Sequence, residues 1–449
     1  MLFLVFFSIG VYASAADSQD FDFVCGFGLD REEGATGQSS HVDFSFYQSG
    51  TVRPVILFGK LKSPDSPFSL TQLKGRNENE THSSADLLNP DRVGSLAHYF
   101  KEMSYGALTL EDNDDGVERV WFEVDSTKAT DYDTACMPGV IAFAEEVFAA
   151  ADDTIDFSTY DRDGEDEDDD GVRDGDGVVD LVILYIPIEF KDLEGCGFEG
   201  TVIEDYASSQ NVFIRYLTAD SVSIEGRVIV VFQRPSFSHL VGVTAHEYGH
   251  MMDLPDLYDR QGGDAAGIGL WGVMGWGPVG WSWNSAEAKF SGPNPLSVWS
   301  RVKVGWITEE NGRLETVESD TTNATLHDIH SQSSSVKAYK IPIRGSDTEY
   351  FLIADRQNTY DGVPSSVGYY DDLAPTSGLA IWHIDDDGLP ISGSGLRYEG
   401  VNNNEKHKGV YAYEWDGRDG QGQPVGSGVY IYRLRASDQT FVGKVTLIR

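Results

Sequence analysis

The chain has 449 residues, of which 40% are hydrophobic and 12% aromatic, enough to bury the cores of two or three domains. Asp and Glu number 73 against 33 Lys and Arg, and the resulting formal net charge of -40 argues against binding to nucleic acid or to an anionic membrane surface. A charge of this sign favours cations, calcium among them.

The chain begins with the pattern of a signal peptide. MLFLVFFSIGVYASA is apolar, too short to span a bilayer comfortably, and ends in small residues at Ala13 and Ala15. We predict a signal peptide at 1–15 and an exported protein, although the segment lacks Lys and Arg; a buried N-terminal strand is the alternative. No other segment is long and apolar enough to be transmembrane. Residues 16–50, rich in Gly and Ser, are predicted to be a leader or short pro-segment.

Strand and helix signals then alternate, which indicates an α/β domain at 51–310. The run VVDLVILYIPI is almost continuously apolar, as expected for a central strand covered on both faces. The predicted strands are 52–58, 120–124, 178–188 and 227–233, and the predicted helices are 93–103, 139–151 and one that begins near Ser238.

An acidic segment precedes the predicted central strand. Within it, Asp166, Asp168 and Asp170 have the D-x-D-x-D-G spacing that arranges alternate carboxylates around calcium, with Gly171 making the sharp turn. We predict structural calcium here, because so many like charges would repel one another without a cation. The alternative is a solvated acidic loop.

The three cysteines form no CxxC pair, which argues against zinc held by thiolates. In an exported protein, Cys136 and Cys196, which flank the acidic segment, could be bridged, but spacing does not show that they meet. Cys25 would then be the odd one out. It is either an ordinary small apolar residue or a thiolate that caps a metal until a leader is removed.

The sequence HEYGH carries the strongest chemical signal. His246 and His250 are four residues apart, so on a helix they project side by side and can clamp a zinc ion. Glu247 lies next to the first histidine, where its carboxylate can hold a metal-activated water and accept its proton. These residue types in this order are the ones that a zinc peptidase requires.

Asp256 is the predicted third metal ligand. It lies ten residues after His246, and Pro255 helps the chain to leave the helix so that the carboxylate can return to the metal. Asp253, seven residues after His246 on the same helical face, is an alternative. A second alternative is Glu287 on another helix, as in thermolysin-like enzymes, although an exposed surface position is its more ordinary role.

Downstream, GLWGVMGWG places Met274 between glycines, in a tight turn that can set its thioether beneath the metal as a packing floor. HExxH, the pattern ending in Asp256 and this Met-containing turn together resemble the metzincin clan, and LPDLYD is similar to the immune inhibitor A type of secreted metalloprotease. Further stretches that agree are SLAHYFKEMSYGALTL, DGVVDLVIL, NPLSVWSRVKVGWI, EYFLIADRQ and GLAIWHIDDD.

The resemblance covers about residues 50–410 and implies a metzincin-like α/β (α+β) catalytic domain with a zinc-binding active-site helix, followed by a β-rich C-terminal region. It implies zinc bound by His246, His250 and Asp256, with Glu247 as general base and Met274 as the residue of the Met turn.

One position departs from the family pattern. Where that family usually has Gly at the end of the zinc helix, this chain has Asp253. Glycine adopts a left-handed conformation at no cost, whereas Asp adopts it at a modest penalty. We therefore expect Asp253 to affect the rate of catalysis and the affinity for the metal. It also motivates a competing hypothesis, a calcium-stabilised surface or adhesion protein whose peptidase site has decayed, although the four metal-site residues are intact.

Beyond residue 310, apolar alternation without helix signals predicts a β-rich domain at 311–410. The segment WDGRDGQGQPVGSGVYIYRLRA that follows resembles the immunoglobulin-like unit of flagellar hook-capping proteins, which implies a partial immunoglobulin-like C-terminal unit at 411–449. The alternative is that these strands complete the β-rich domain.

The sequence therefore predicts a secreted zinc endopeptidase that acts on protein or peptide substrates, either free outside the cell or attached to its surface. Its peptide-bond hydrolysis would use a metal-activated water, with Glu247 as the general base.

Overall fold

A computed structural model of the chain describes most of its residues. The described ranges are 44–62, 70, 72–75, 81–113, 120–124, 136–164, 173–186, 200–203, 214–232, 236–258, 267–281, 292–317, 325–343, 346, 348–357, 369–371, 377–386, 409–415, 428–436 and 439–447. The predicted signal peptide, Cys25, Cys196 and Glu287 lie outside these ranges, as does the predicted calcium triad of Asp166, Asp168 and Asp170.

The described residues form a mixed α/β fold with few helices. The helices are α1 (Leu96–Met103), α2 (Cys136–Ala151), α3 (Phe237–Met251) and α4 (Val298–Lys303). The strands are β1 (Gly50–Val52), β2 (Val55–Leu61), β3 (Leu73–Lys74), β4 (Thr81–His82), β5 (Leu108–Leu110), β6 (Trp121–Val124), β7 (Val182–Ile186), β8 (Gly200–Ile203), β9 (Arg215–Leu217), β10 (Ser223–Glu225), β11 (Val228–Phe232), β12 (Leu314–Thr316), β13 (Ala338–Pro342), β14 (Glu349–Arg356), β15 (Gly378–Asp385), β16 (Gly409–Trp415), β17 (Gly428–Ala436) and β18 (Gln439–Leu447).

The first sheet has the strand order β6-β2-β7-β11-β8. Its first four strands are parallel, and β8 pairs antiparallel with β11 at the edge. All five residues of β7 are buried, as the apolar run predicted. Ile183 and Tyr185 belong to a core cluster with side chains of α1 and α3, whereas Val182, Leu184 and Ile186 belong to a cluster with side chains of α2. Helices therefore cover both faces of the sheet.

Serine caps mark the starts of three helices. The hydroxyl of Ser95 accepts a hydrogen bond from a backbone N–H in the first turn of α1, and Ser236 and Ser297 do the same for α3 and α4. The helix predicted at 93–103 begins at Leu96, and the one predicted near Ser238 begins at Phe237. The short helix α4 was not predicted, since six residues are too few to show a periodic pattern.

The second sheet has the order β12-β13-β14-β15-β16, so the chain beyond residue 310 is β-rich in this region. Its outermost strand β16 pairs antiparallel with β15 and continues this sheet, although 411 was the predicted start of the C-terminal unit. Strands β17 and β18 form a separate antiparallel hairpin. A hairpin alone does not identify an immunoglobulin-like unit, which stays a prediction.

The two sheets share one core. Leu352 and Trp382 of the second sheet belong to the same cluster as the side chains of α1 and α3. Arg356 of β14 donates a hydrogen bond to the carbonyl oxygen of Trp271 at 2.8 Å and forms an ion pair with the fully buried Asp371. Burial would raise the pKa of the Asp371 carboxyl, but Arg356 and His330 hold it well below its usual range, so this link is ionic.

The last residues of the predicted leader belong to the fold. Residues Phe44–Tyr47 form a 3-10 helix, and β1 pairs with β5. The side chain of Tyr47 is fully buried. None of the helices in the described part of the chain combines the length and apolar character that a membrane span requires.

Candidate metal centre

Helix α3 carries the HEYGH residues and is buried along its whole length. His246 and His250 lie on one face of it, with ring centroids 4.9 Å apart and ring planes at 89°. Both histidines and Glu247 are at most 1% exposed. One turn of a buried helix thus presents two imidazoles and a carboxylate to the interior.

The helix ends in a Schellman motif. The N–H of Leu254 donates to the carbonyl oxygen of Gly249, and the N–H of Asp253 donates to that of His250, each at 3.0 Å. Asp253 occupies the left-handed position, with φ 63°. The sequence pointed to this conformation, because glycine is the usual residue there. The reversal turns the chain back toward the helix immediately before Asp256.

The structure brings the three predicted ligands together. Asp256 is 3% exposed, and its Oδ1 lies 3.0 Å from His246 Nε2 and 3.5 Å from His250 Nε2. One ligand atom from each of these residues lies within 4.8 Å of the others, a group that could hold a metal ion. Asp253, the nearer alternative, is not part of this group.

Backbone carbonyls fix the orientation of both imidazoles. His246 Nδ1 donates to the carbonyl oxygen of Val273, and His250 Nδ1 donates to that of Leu254, each at 2.8 Å. A carbonyl oxygen can only accept, so Nδ1 carries a proton in both rings, and each ring in its neutral form turns the lone pair of Nε2 to the centre. Burial lowers the pKa of His250, which favours the neutral imidazole that binds metals. Burial would also lower the pKa of His246, but its contact with the Asp256 carboxylate raises it. Burial would raise the pKa of Asp256, but the two imidazoles lower it well below its usual range.

The donor set fits zinc. Two imidazole nitrogens and one carboxylate oxygen are ligands that zinc accepts, and three protein ligands leave a fourth position for water or substrate. Calcium and magnesium prefer oxygen ligands alone. The hydrogen bonds from Nδ1 to carbonyl oxygens supply the outer contacts that metal-binding histidines need.

Met274 packs directly against α3. It is fully buried, and its turn is closed by a hydrogen bond from the N–H of Gly275 to the carbonyl oxygen of Gly272 at 2.9 Å. A Cβ added at Gly249 would lie 2.2 Å from Met274 Sδ, so the thioether fills the space that glycine leaves beside His250. Met274 therefore packs against α3 at Gly249, the residue before His250.

Strand β8 approaches helix α3 on another side. A Cβ added at Gly200 would lie 2.8 Å from Glu247 Oε1 and 2.9 Å from Glu247 Cγ. Gly200 is the first residue of the edge strand and lies 47 positions before Glu247 in the chain. Sequence reasoning missed both Gly200 and Gly249, because no local signal links a glycine to a side chain that is distant in sequence.

A tyrosine pair connects α3 to the N-terminal segment. The hydroxyl of Tyr248 donates to the carbonyl oxygen of Tyr47 at 3.2 Å, and the hydroxyl of Tyr47 donates to that of Asp180 at 2.7 Å. Tyr248 lies between Glu247 and His250, so this chain of contacts reaches the metal-binding turn.

Comparison with known proteins gives one informative match. The family model described as "Immune inhibitor A peptidase M6, catalytic domain" matches residues 80–307. No match is found among the curated proteins. Among solved structures, the crystal structure of wild-type OgpA from Akkermansia muciniphila is 13% identical and covers 73% of this chain and 94% of that chain, with a TM-score of 0.22. A score this low carries no argument about fold or function.

Replacement of Asp253 tests the left-handed helix end. Asp253→Gly should stabilise the protein by about 0.5–1 kcal/mol, because glycine adopts this conformation without steric cost, and Asp253→Ala should destabilise it by a similar amount. Urea unfolding midpoints of the two variants and the parent measure this order. A lower midpoint for Asp253→Gly would contradict the assigned conformation.

A double-mutant cycle tests the contact between Gly249 and Met274. In an isolated helix Gly249→Ala would be favourable by about 1 kcal/mol, yet here it should destabilise by about 1–3 kcal/mol through overpacking. Combined with Met274→Ala, it should cost clearly less than the sum of the two single changes. Leu110→Ala, in β5, is the matched control and should combine additively with Gly249→Ala. Additive behaviour of both pairs would show that Gly249 and Met274 do not pack together.

Proposed function

Because the chain belongs to the immune inhibitor A family of M6 peptidases, we propose that it is a secreted, zinc-dependent endopeptidase that cleaves peptide bonds within proteins. The observation that carries this proposal is the convergence of His246 Nε2, His250 Nε2 and an Asp256 carboxylate oxygen in a buried site. The Schellman end of α3 and the packing of Met274 against Gly249 support a metzincin-like arrangement.

Each residue of the metal centre has its own role in the proposed hydrolysis. His246, His250 and Asp256 would hold the zinc ion, which would supply Lewis acidity toward water and the peptide carbonyl when bound. Glu247 accepts a proton from the attacking water and passes it to the nitrogen of the leaving amine as the peptide C–N bond breaks. Its contact with Gly200 restricts the positions that this carboxylate can take.

Edge strand β8 supports an extended polypeptide as the substrate. One side of β8 pairs with β11, and the structure describes no strand on its other side. An extended peptide can add to such an edge through backbone hydrogen bonds. Because Gly200 of β8 touches Glu247, a peptide added there would lie beside the general base.

Hydrolysis of casein by the purified protein tests the proposed mechanism. Glu247→Gln should lower kcat/KM by about 10²–10⁴-fold, because it removes the base but not the metal ligands, and its zinc content should equal that of the parent. His246→Ala should lose both zinc and activity, and Glu225→Gln, on β10, is the matched control. A chelator should abolish hydrolysis and added zinc should restore it. Activity that persists in the chelator, or absent activity after removal of any leader, would exclude the proposed enzyme.

Export is the second part of the proposal, and the apolar residues 1–15 followed by a polar stretch support it. The protein recovered from the medium of an expressing culture should begin at Ala16, as determined by N-terminal sequencing. Ala13→Arg together with Ala15→Arg should block cleavage, because the processing site requires small residues. Retention of the parent protein inside the cell with an intact Met1 would contradict export.

A further inference from the structure

A second group of acidic side chains converges away from the metal centre of α3. Asp161, Asp163 and Asp180 each offer a carboxylate oxygen, and these oxygens lie within 4.8 Å of one another. Asp161 and Asp163 follow the 3-10 helix Phe157–Tyr160, whereas Asp180 lies two residues before β7. The sequence separates them, but the fold brings them to the start of the central strand.

The backbone holds these carboxylates in place. Asp161 accepts hydrogen bonds from the N–H groups of Asp176 at 2.7 Å and Gly177 at 2.9 Å. Asp180 is 2% exposed, and its Oδ1 accepts a hydrogen bond from the N–H of Arg162 at 2.8 Å. The N–H of Asp180 donates to the carbonyl oxygen of Tyr160 at 2.8 Å. The oxygens are therefore positioned by the fold and do not depend on chance rotamers at a surface.

The neighbouring guanidinium groups do not neutralise the negative charge of this acidic group. Arg227 contacts Asp163 Oδ2 at 2.6 Å and Asp176 Oδ2 at 3.2 Å. With Asp161 and Asp180, the group has four carboxylates. The described residues place two guanidiniums beside it, Arg227 and the exposed Arg173, which donates to the carbonyl oxygen of Asp163 at 2.9 Å, so negative charge remains when all four carboxylates are ionised. Burial, together with the neighbouring charges of Asp163 and Asp161, raises the pKa of Asp180 to about 8. Full ionisation of the group thus costs free energy unless a further cation is present.

The second oxygen of Asp163 points independently to a ligand. The Asp163 side chain is only 8% exposed, and its Oδ1 is buried without a hydrogen-bond donor among the described residues when the neighbouring Asp180 carboxyl is ionised. A carboxylate oxygen can only accept, and a buried acceptor without a donor is uncommon in folded proteins because it loses its hydration. A proton or a metal ion in the group would satisfy it.

We propose that Asp161, Asp163 and Asp180 form a structural calcium site. Three carboxylates with no imidazole or thiolate in the group make an all-oxygen donor set, which suits a hard divalent cation. Calcium accepts six to eight oxygens in variable geometry, whereas magnesium demands a near-ideal octahedron. Carboxylates supplied by two separate, irregular segments suit calcium better.

The site would stabilise the centre of the first sheet. Asp180 lies just before β7, and Arg227, which contacts Asp163, lies immediately before β11. The N–H of Val182 donates to the carbonyl oxygen of Arg227 at 3.0 Å, so the two segments are already joined at this point. A bound ion would hold the starts of both strands together, whether or not the protein is a peptidase.

Calcium titration of the full-length protein tests this site. The zinc-loaded protein is dialysed into calcium-depleted buffer with its zinc content measured in parallel, and its Tm and calcium affinity are followed as CaCl2 is added. The Tm should rise with calcium, because an ion that binds only the folded state stabilises it. MgCl2 at equal concentrations should give a smaller rise. No rise with calcium would mean that a proton satisfies Asp163 Oδ1, and an equal rise with magnesium would overturn the choice of calcium.

Isosteric variants locate the ion. Asp163→Asn and Asp161→Asn should each weaken calcium binding by at least about tenfold, because affinity follows the number of charged ligands. Asp153→Asn removes an exposed acid eight positions before Asp161 and should leave the affinity unchanged. The combined change Asp166→Asn, Asp168→Asn and Asp170→Asn should also leave it unchanged, although D-x-D-x-D-G spacing predicted calcium there. Parent affinity in the first two variants, or loss in the combined variant, would overturn the assignment.

The His246→Ala variant separates this inference from the proposed function. It should lose zinc and peptidase activity while its Tm still rises with calcium. Loss of the calcium response in His246→Ala would mean that calcium acts at the metal centre of α3, which would also overturn the site.

Discussion

Two histidines, a glutamate and an aspartate lie inside the protein within 11 positions of the chain, and burial of such groups is costly unless each is matched by a partner or an ion. The surroundings of α3 follow from this constraint. The carbonyl oxygens of Val273 and Leu254 each accept a hydrogen bond from an Nδ1–H group, and the Asp256 carboxylate lies against both Nε2 atoms. A metal ion held by His246, His250 and Asp256 would complete this arrangement.

The same constraint explains why glycine occurs where α3 meets its neighbours. A fully buried helix needs close cover on every side, and a side chain at Gly249 or Gly200 would displace Met274 or Glu247. In such a close-packed interior, a small change in one side chain shifts its neighbours, because there are few voids to absorb the change. The chemistry of the centre therefore depends on residues that never touch the metal, and substitution at either glycine should move a functional group without removing it.

Local patterns predicted much of this structure and distant contacts did not. The apolar run of β7, the helix around HEYGH and the return of Asp256 are each encoded within a few neighbouring residues, so spacing and turn chemistry predicted them. The left-handed Asp253 followed from the family resemblance, since that family usually has glycine there. Gly200 could not be linked to Glu247, nor Val273 to His246, because each pair meets only through the tertiary fold. The acidic segment shows the same limit for convergent groups: Asp180 lies 17 positions beyond Asp163, so local spacing could not link them. The calcium predicted at Asp166, Asp168 and Asp170 stays a prediction, because these residues lie outside the described ranges.

The burial of Tyr47 limits how the protein can be processed. Its ring is enclosed, its hydroxyl donates to Asp180, and its carbonyl oxygen accepts from Tyr248 in the metal-binding turn. A maturation protease that cut after this residue would leave a new terminus in the core and take a hydrogen-bond acceptor from Tyr248. An N-terminal cleavage that preserves these contacts must therefore fall before Tyr47, and the new N-terminal segment then stays joined to α3 through Tyr248.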